Sequence, residues 1–181
     1  MTGRFPSLAN WSWSAGTGAA SGPTVIRAAA LTVAGTHTLG AVEMAGGIVT
    51  IATGTTLTAS GMVTLTSGSL NQGGATGTLA AQGDISSATA FTGGTATLLI
   101  NGAGAQAWTG SAGGATDLPV VHLNKGGGTL TNTGTLRTTR NRAWPTGGMA
   151  SGGSTEIFAG TPQALDAHPL VPSATRGQSS I

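Results

Sequence analysis

Between Leu31 and Thr139 the chain runs through short alternations of apolar residues with Thr, such as LTV (31–33), VTI (49–51), VTLT (63–66) and TLT (129–131). A period of two is that of a β-strand. It places Val63 and Leu65 on one face and Thr64 and Thr66 on the other, and β-branched Val and Thr suit a pleated surface. A longer period lies on top of it. Val33, Leu39, Ala45, Ile51, Leu57 and Val63 recur at every sixth position, and each is followed by a small residue: Ala34, Gly40, Gly46, Ala52, Thr58 and Thr64. Laying 31–48 over 49–66 matches Thr32 with Thr50, Ala34 with Ala52, Thr38 with Thr56, Leu39 with Leu57, Ala41 with Ala59 and Met44 with Met62. The repeat is therefore 18 residues, or three sixes.

Three short strands with small residues at the corners make one rung of a β-solenoid, and the next rung stacks on it. The expected fold is all-β: a single-stranded β-solenoid (β-helix) with triangular rungs of about 18 residues. Val33 should stack on Ile51, Leu39 on Leu57 and Ala45 on Val63. The phase slips near 67–77, resumes at Leu79, Ile85 and Phe91, and slips again before Leu98, as insertions at corners would cause. TATLLI (95–100), PVVHL (119–123), GTLTNTGTLRTT (128–139) and TEIF (155–158) continue as strands between Gly-rich turns. These readings divide the chain into an N-terminal arm or cap at 1–30, a solenoid at 31–160 and an extended Pro-containing tail at 161–181. Phe5, Trp11 and Trp13 are the apolar anchors of the arm and its candidate capping or docking residues.

Composition narrows the class. Gly (32), Thr (31) and Ala (29) make up half of the 181 residues, while Leu, Ile, Val and Phe together number only 33. That is enough for a thin, elongated core but not for a wide one. Irregular Gly and only 7 Pro exclude collagen, and the absence of Cys excludes disulfide and thiolate-metal scaffolds. A net charge of +2 supports neither charge-driven disorder nor a nucleic-acid-binding surface. No apolar run reaches the ~18 residues that a membrane-spanning helix needs.

The run TATLLINGAGAQAWTGSAGGATDLPVVHLNKGGGTLTNTGTLRTTRN (95–141) resembles the Gly/Thr-rich repeats of large bacterial surface proteins of the adhesin kind, and the fibre-like structural proteins of phages. The resemblance implies a structural role at an external surface and brings no catalytic residues with it. The start, MTGRFPSLANWSWSAG, shows no secretory leader, so the expectation leans to a phage particle component, a fibre segment or a capsid decoration. The alternative is a repeat module of a bacterial adhesin. A virion or extracellular location follows. So does partnership with further copies of the chain, a trimer being the simplest expectation, with other particle or surface proteins, and with surface glycans.

Candidate chemistry is sparse. Glu43, Asp84, Asp117, Glu156 and Asp166 are far apart in sequence, and no pair suggests the two carboxylates of a glycosidase or another polysaccharide-active β-helix enzyme. His37 lies in the sixfold region, where left-handed β-helix acyltransferases carry a general base, but Thr36 and Thr38 flank it and a solvated His is the plainer reading. His122 and His168 lack a second ligand at a metal-binding spacing. No enzyme, cofactor or metal is therefore expected. Lys125, Arg137, Arg140 and Arg142 form one basic cluster that could meet an acidic partner or a subunit. Trp108 and Trp144 could stack on a glycan or fill core and interface. Thr-x-Thr units at 36–38, 56–58, 64–66, 129–131 and 131–133 resemble the faces of ice-binding solenoids, provided that they fall in register on a single flat face.

Overall fold

The computed structural model describes residues 22–27, 30–110 and 118–133 in full, together with the backbone of the strands Arg4–Phe5, Trp11–Trp13, Gly18–Ala20, Leu136–Thr138, Arg142–Ser151 and Thr155–Ile157. Every strand pair in it is parallel, and no helix occurs among the described residues. The chain winds as a β-solenoid of about five turns. Each turn visits three faces in order.

The first face stacks His37–Leu39, Thr56–Ala59, Thr78–Ala81, Thr97–Ile100 and the start of Val120–Asn132. The second stacks Thr24–Ile26, the first halves of Val42–Ile51 and Val63–Gln72, then Ile85–Ser87, Gln106–Gly110 and the end of Val120–Asn132. The third stacks Ala30–Val33 on the second halves of Val42–Ile51 and Val63–Gln72. In the next turn it is reduced to turns and a single bridge, Gly68 to Phe91. Pairing also reaches back into the stretch read as an arm: Arg4–Phe5 lies against Val25–Ile26, Trp11–Trp13 against Leu31–Val33 and Gly18–Ala20 against His37–Leu39.

Alternation within each strand fills a narrow interior with columns of side chains. Leu57, Leu79, Leu98 and Val121 form one column on the first face, and Leu39, Ala59, Ala81, Ile100 and Leu123 form the next. On the second face Val42, Val63, Ile85 and Trp108 grow in size along one column. Beside it, Met44, Leu65, Ser87 and Gly110 shrink. The small Ser87 beside the large Trp108 keeps the interior filled, and the indole reaches its hydroxyl.

The expected 18-residue register holds only at its start. Val33 does pair with Ile51, and Thr32 with Thr50. After that Leu39 pairs with Ala59 rather than Leu57, Thr38 with Thr58 rather than Thr56, Met44 with Leu65 rather than Met62, and Ala45 with Ser67 rather than Val63. The turn at 52–55 shifts Leu39 and Thr38; one more residue in the corner between Ala59 and Val63 shifts Met44, and a register irregularity after Met44 shifts Ala45. Four positions separate Val33 from His37, but six separate Ile51 from Leu57, its register partner. The two extra residues are accommodated by a tight turn with Gly54 at φ +70° and Thr55 N–H donating to Ala52 O at 3.0 Å. Later steps are longer still, as from Ile85 to Trp108.

Corners bring backbone against backbone, and glycine is required at two of them in particular. Gly68 has φ +90°, and a Cβ there would stand 2.4 Å from Gly47 O; Gly94 has φ +131°, with Leu70 O at 1.9 Å from such a Cβ. An L-residue would meet both a disfavoured backbone conformation and a clash.

Candidate functional site

Two places in the fold concentrate polar groups: the outer surface of the first face, and the corner where the first face turns into the second.

On the first face the inward leucines dictate which residues point out. In register, the outer positions form two columns. One runs Thr56, Thr78, Thr97, Val120, and the other Thr38, Thr58, Ala80, Leu99, His122, of which Ala80 is buried. Thr36 stands one residue before His37 as Thr56 stands one before Leu57, so it extends the first column. No charged side chain lies on these columns among the described residues. The charged residues with described side chains sit elsewhere: Glu43 on the second face, Asp84 at its edge, where a carboxylate oxygen accepts from Ala107 N–H at 2.9 Å, and Arg27 beyond the strand Thr24–Ile26.

At the corner, Lys125 is 2% exposed. Its ammonium donates to Gly102 O at 2.7 Å, to Gly104 O at 2.8 Å and to Gln106 Oε1 at 2.5 Å. Gln106, also buried, accepts from Gly102 N–H at 2.9 Å and donates through Nε2 to Gly83 O at 2.5 Å and Ala81 O at 3.2 Å. All three donors of the ammonium and both ends of the amide are used, and the set ties three successive turns together. With only neutral acceptors around it, the cation is desolvated, and burial lowers its pKa from the ordinary 10.5.

The sequence-derived candidates separate accordingly. Lys125 is corrected: it is not a surface cation poised for a partner, because the corner's carbonyls draw its side chain inward. Trp108 is corrected as a glycan platform. It is fully buried, and its Nε1–H donates to Ser87 Oγ at 2.9 Å, so no ring face is offered to a sugar. His37 is half-buried, with Nε2 2.9 Å from Ala34 O across its own turn. His122 is half-buried in the outer column of the first face, and burial lowers its pKa, which favours the neutral ring. No group of three His, Cys, Asp or Glu that could hold a metal occurs among the described residues. Arg137, Arg140, Arg142, Trp144, Phe5, Trp11 and Trp13 lie outside the residues whose side chains are described, as do Asp117, Glu156, Asp166, His168 and the tail 161–181.

Sequence reasoning missed Gln106 and the Thr56–Thr78–Thr97 column. Nothing marks a buried amide in a Gly/Ala-rich run. The Thr column has steps of 22 and 19 residues, which a fixed period of 18 cannot detect.

No family model matches the chain, and no curated protein or solved structure is similar to it.

Proposed function

We propose that the protein is a non-enzymatic structural module displayed on an external surface, as a phage fibre segment or capsid decoration or as a repeat module of a bacterial adhesin. The observation that most supports this reading is the continuous parallel ladder. Stacked rungs, continuous on the first and second faces, make a stiff rod whose length grows with each turn, and a rod is suited to holding things apart or presenting them. The sparse charge of the chain adds to it, since copies repel each other little. The same architecture serves either biological setting, and neighbouring genes distinguish them: capsid or tail genes for a particle, a long reading frame with a secretion signal for an adhesin.

A parallel stack ends in open strand edges, which invite pairing with another chain unless they are capped or shared. The module should therefore work as a homo-oligomer, with a trimer the simplest form. Deleting residues 1–22 removes Arg4–Phe5, Trp11–Trp13 and Gly18–Ala20 and uncovers the edges of Thr24–Ile26, Ala30–Val33 and His37–Leu39. Light scattering at micromolar concentration should show a defined oligomer for the full chain and aggregation or lost assembly for the deletion. A folded monomer that the deletion leaves unchanged would defeat this reading.

A further inference from the structure

We infer that Asn101 is a site of intramolecular deamidation that the Gln106 and Lys125 corner holds closed, so that its conversion marks a chain whose corner has opened. The inference concerns this corner alone and does not depend on what the rod carries.

The sequence supplies the reactive pair and the fold makes it obligatory. Of the six asparagines, only Asn101 is followed by glycine. An asparagine side chain is attacked at Cγ by the peptide nitrogen of the next residue, and glycine, having no Cβ, hinders that attack least. In the step, the Gly102 nitrogen gives up its proton and forms the N–Cγ bond, the Cγ–Nδ2 bond breaks, and the amide nitrogen leaves with that proton as ammonia. Water then opens the cyclic imide at one carbonyl or the other, giving aspartate or isoaspartate. The fold cannot exchange the glycine for a less reactive neighbour. A Cβ at 102 would stand 2.2 Å from Gln82 O and 2.7 Å from Gln106 Oε1.

Two independent observations show what keeps the pair closed. The first is the grip on the nucleophile. Gly102 is buried, and its N–H donates to Gln106 Oε1 at 2.9 Å, so the nitrogen that must attack Asn101 is held toward Gln106 instead. The Lys125 ammonium fixes that oxygen at 2.5 Å and Gly102 O at 2.7 Å, while Asn101 N–H donates to Ala81 O at 3.1 Å. Ring closure needs rotation in the very stretch of backbone that these bonds pin. The second observation is electrostatic. Asn101 Oδ1 is buried and accepts no hydrogen bond. Attack on Cγ turns this oxygen into an oxyanion, and an oxyanion buried without a donor lacks the stabilisation on which such steps depend. Opening the corner frees the nitrogen and lets water reach Oδ1. The change is one-way: isoaspartate adds a carbon to the main chain just beyond Ile100, so the carbonyls that receive Lys125 do not return to register.

The test incubates the full chain in mildly alkaline buffer and follows each asparagine by peptide mapping, where conversion of amide to acid is read as a mass gain. The folded wild type should keep Asn101 as the amide over a time in which the same chain in urea converts it ahead of the other five asparagines. Gln106→Leu removes the acceptor of Gly102 N–H, and while folded by circular dichroism it should convert Asn101 about tenfold faster than the wild type, the population change expected from the net loss of one hydrogen bond. Leu31→Ala, a buried truncation on the third face, lowers stability without touching the corner and should stay as slow as the wild type. If Gln106→Leu does not fold, Lys125→Met replaces it and should convert in the same way. Hydrogen exchange of the wild type needs no variant: the Gly102 amide should be among the slow ones. A folded wild type that converts Asn101 as fast as the chain in urea overturns the inference. So does a folded Gln106→Leu or Lys125→Met no faster than the wild type, a Leu31→Ala as fast as they are, or a Gly102 amide that exchanges freely.

Discussion

Leu57→Asp is expected to abolish cooperative folding. Leu57 is 1% exposed and sits between His37 and Leu79 in the first-face register. Truncating a buried leucine alone costs about 2–5 kcal/mol. A carboxylate at that position would also be stripped of water with no partner, which adds several kcal/mol more. The sum rivals the whole stability of a typical domain, about 5–15 kcal/mol. Circular dichroism should show loss of the β-signal, or a melting temperature lower by at least about 10 °C, given about 2–4 °C per kcal/mol for a chain of this size. Thr58→Asp is the matched control, one residue along and pointing out, and should stay within about 0.5 kcal/mol of the wild type. Equal melting temperatures for Leu57→Asp and the wild type would mean that Leu57 is not in a core.

Trp108→Ala is the second large effect. The ring is completely buried, pairs in register with Ile85, and hydrogen-bonds to Ser87 Oγ. Its removal leaves a cavity in a core only a few side chains wide, and a loss of about 3–5 kcal/mol is expected. Trp108→Phe keeps most of the volume and leaves the Ser87 hydroxyl without its donor, so it should cost less, about 1–3 kcal/mol. Urea denaturation of the two variants orders them. A fully stable Trp108→Ala protein would return Trp108 to the surface as a stacking platform for a partner.

What could be read from the sequence and what could not divide along one physical line. Inside a strand, each residue declares its side by alternation, so Val63 and Leu65 are inward in both the pattern and the structure. Rung-to-rung pairing is different, because it depends on how many residues each corner consumes. The pairing of Val33 with Ile51 was legible because the strands Ala30–Val33 and Val42–Ile51 are one uninterrupted 18-residue step apart. Two additional residues before Leu57, and one more between Ala59 and Val63, then shift the later partners while leaving the alternation intact, and the coincidental matches Leu39 with Leu57 and Met44 with Met62 concealed the shift. Buried polar groups were illegible for another reason. Lys125 looks like any surface lysine until the carbonyls of Gly102 and Gly104 are brought around it by the corner of the preceding turn. Trp108 shows the same limit, since nothing local says that Ser87 of the preceding turn will meet its indole N–H.

The register of the first face is the central claim, because it sets both the core columns and the residues that stand outward beside them. The chain contains no cysteine, so paired substitutions measure it on a clean background. In parallel neighbours a direct partner lies about 4.8 Å away, within disulfide reach, whereas a residue two positions off lies at about 8 Å, beyond the roughly 7 Å limit between Cα atoms. Thr38→Cys combined with Thr58→Cys should therefore form an intramolecular disulfide under mild oxidation, read as a mass loss of two hydrogens, and Thr38→Cys combined with Thr56→Cys should not. A disulfide in the second pair and none in the first would restore the 18-residue register and contradict the structure described here.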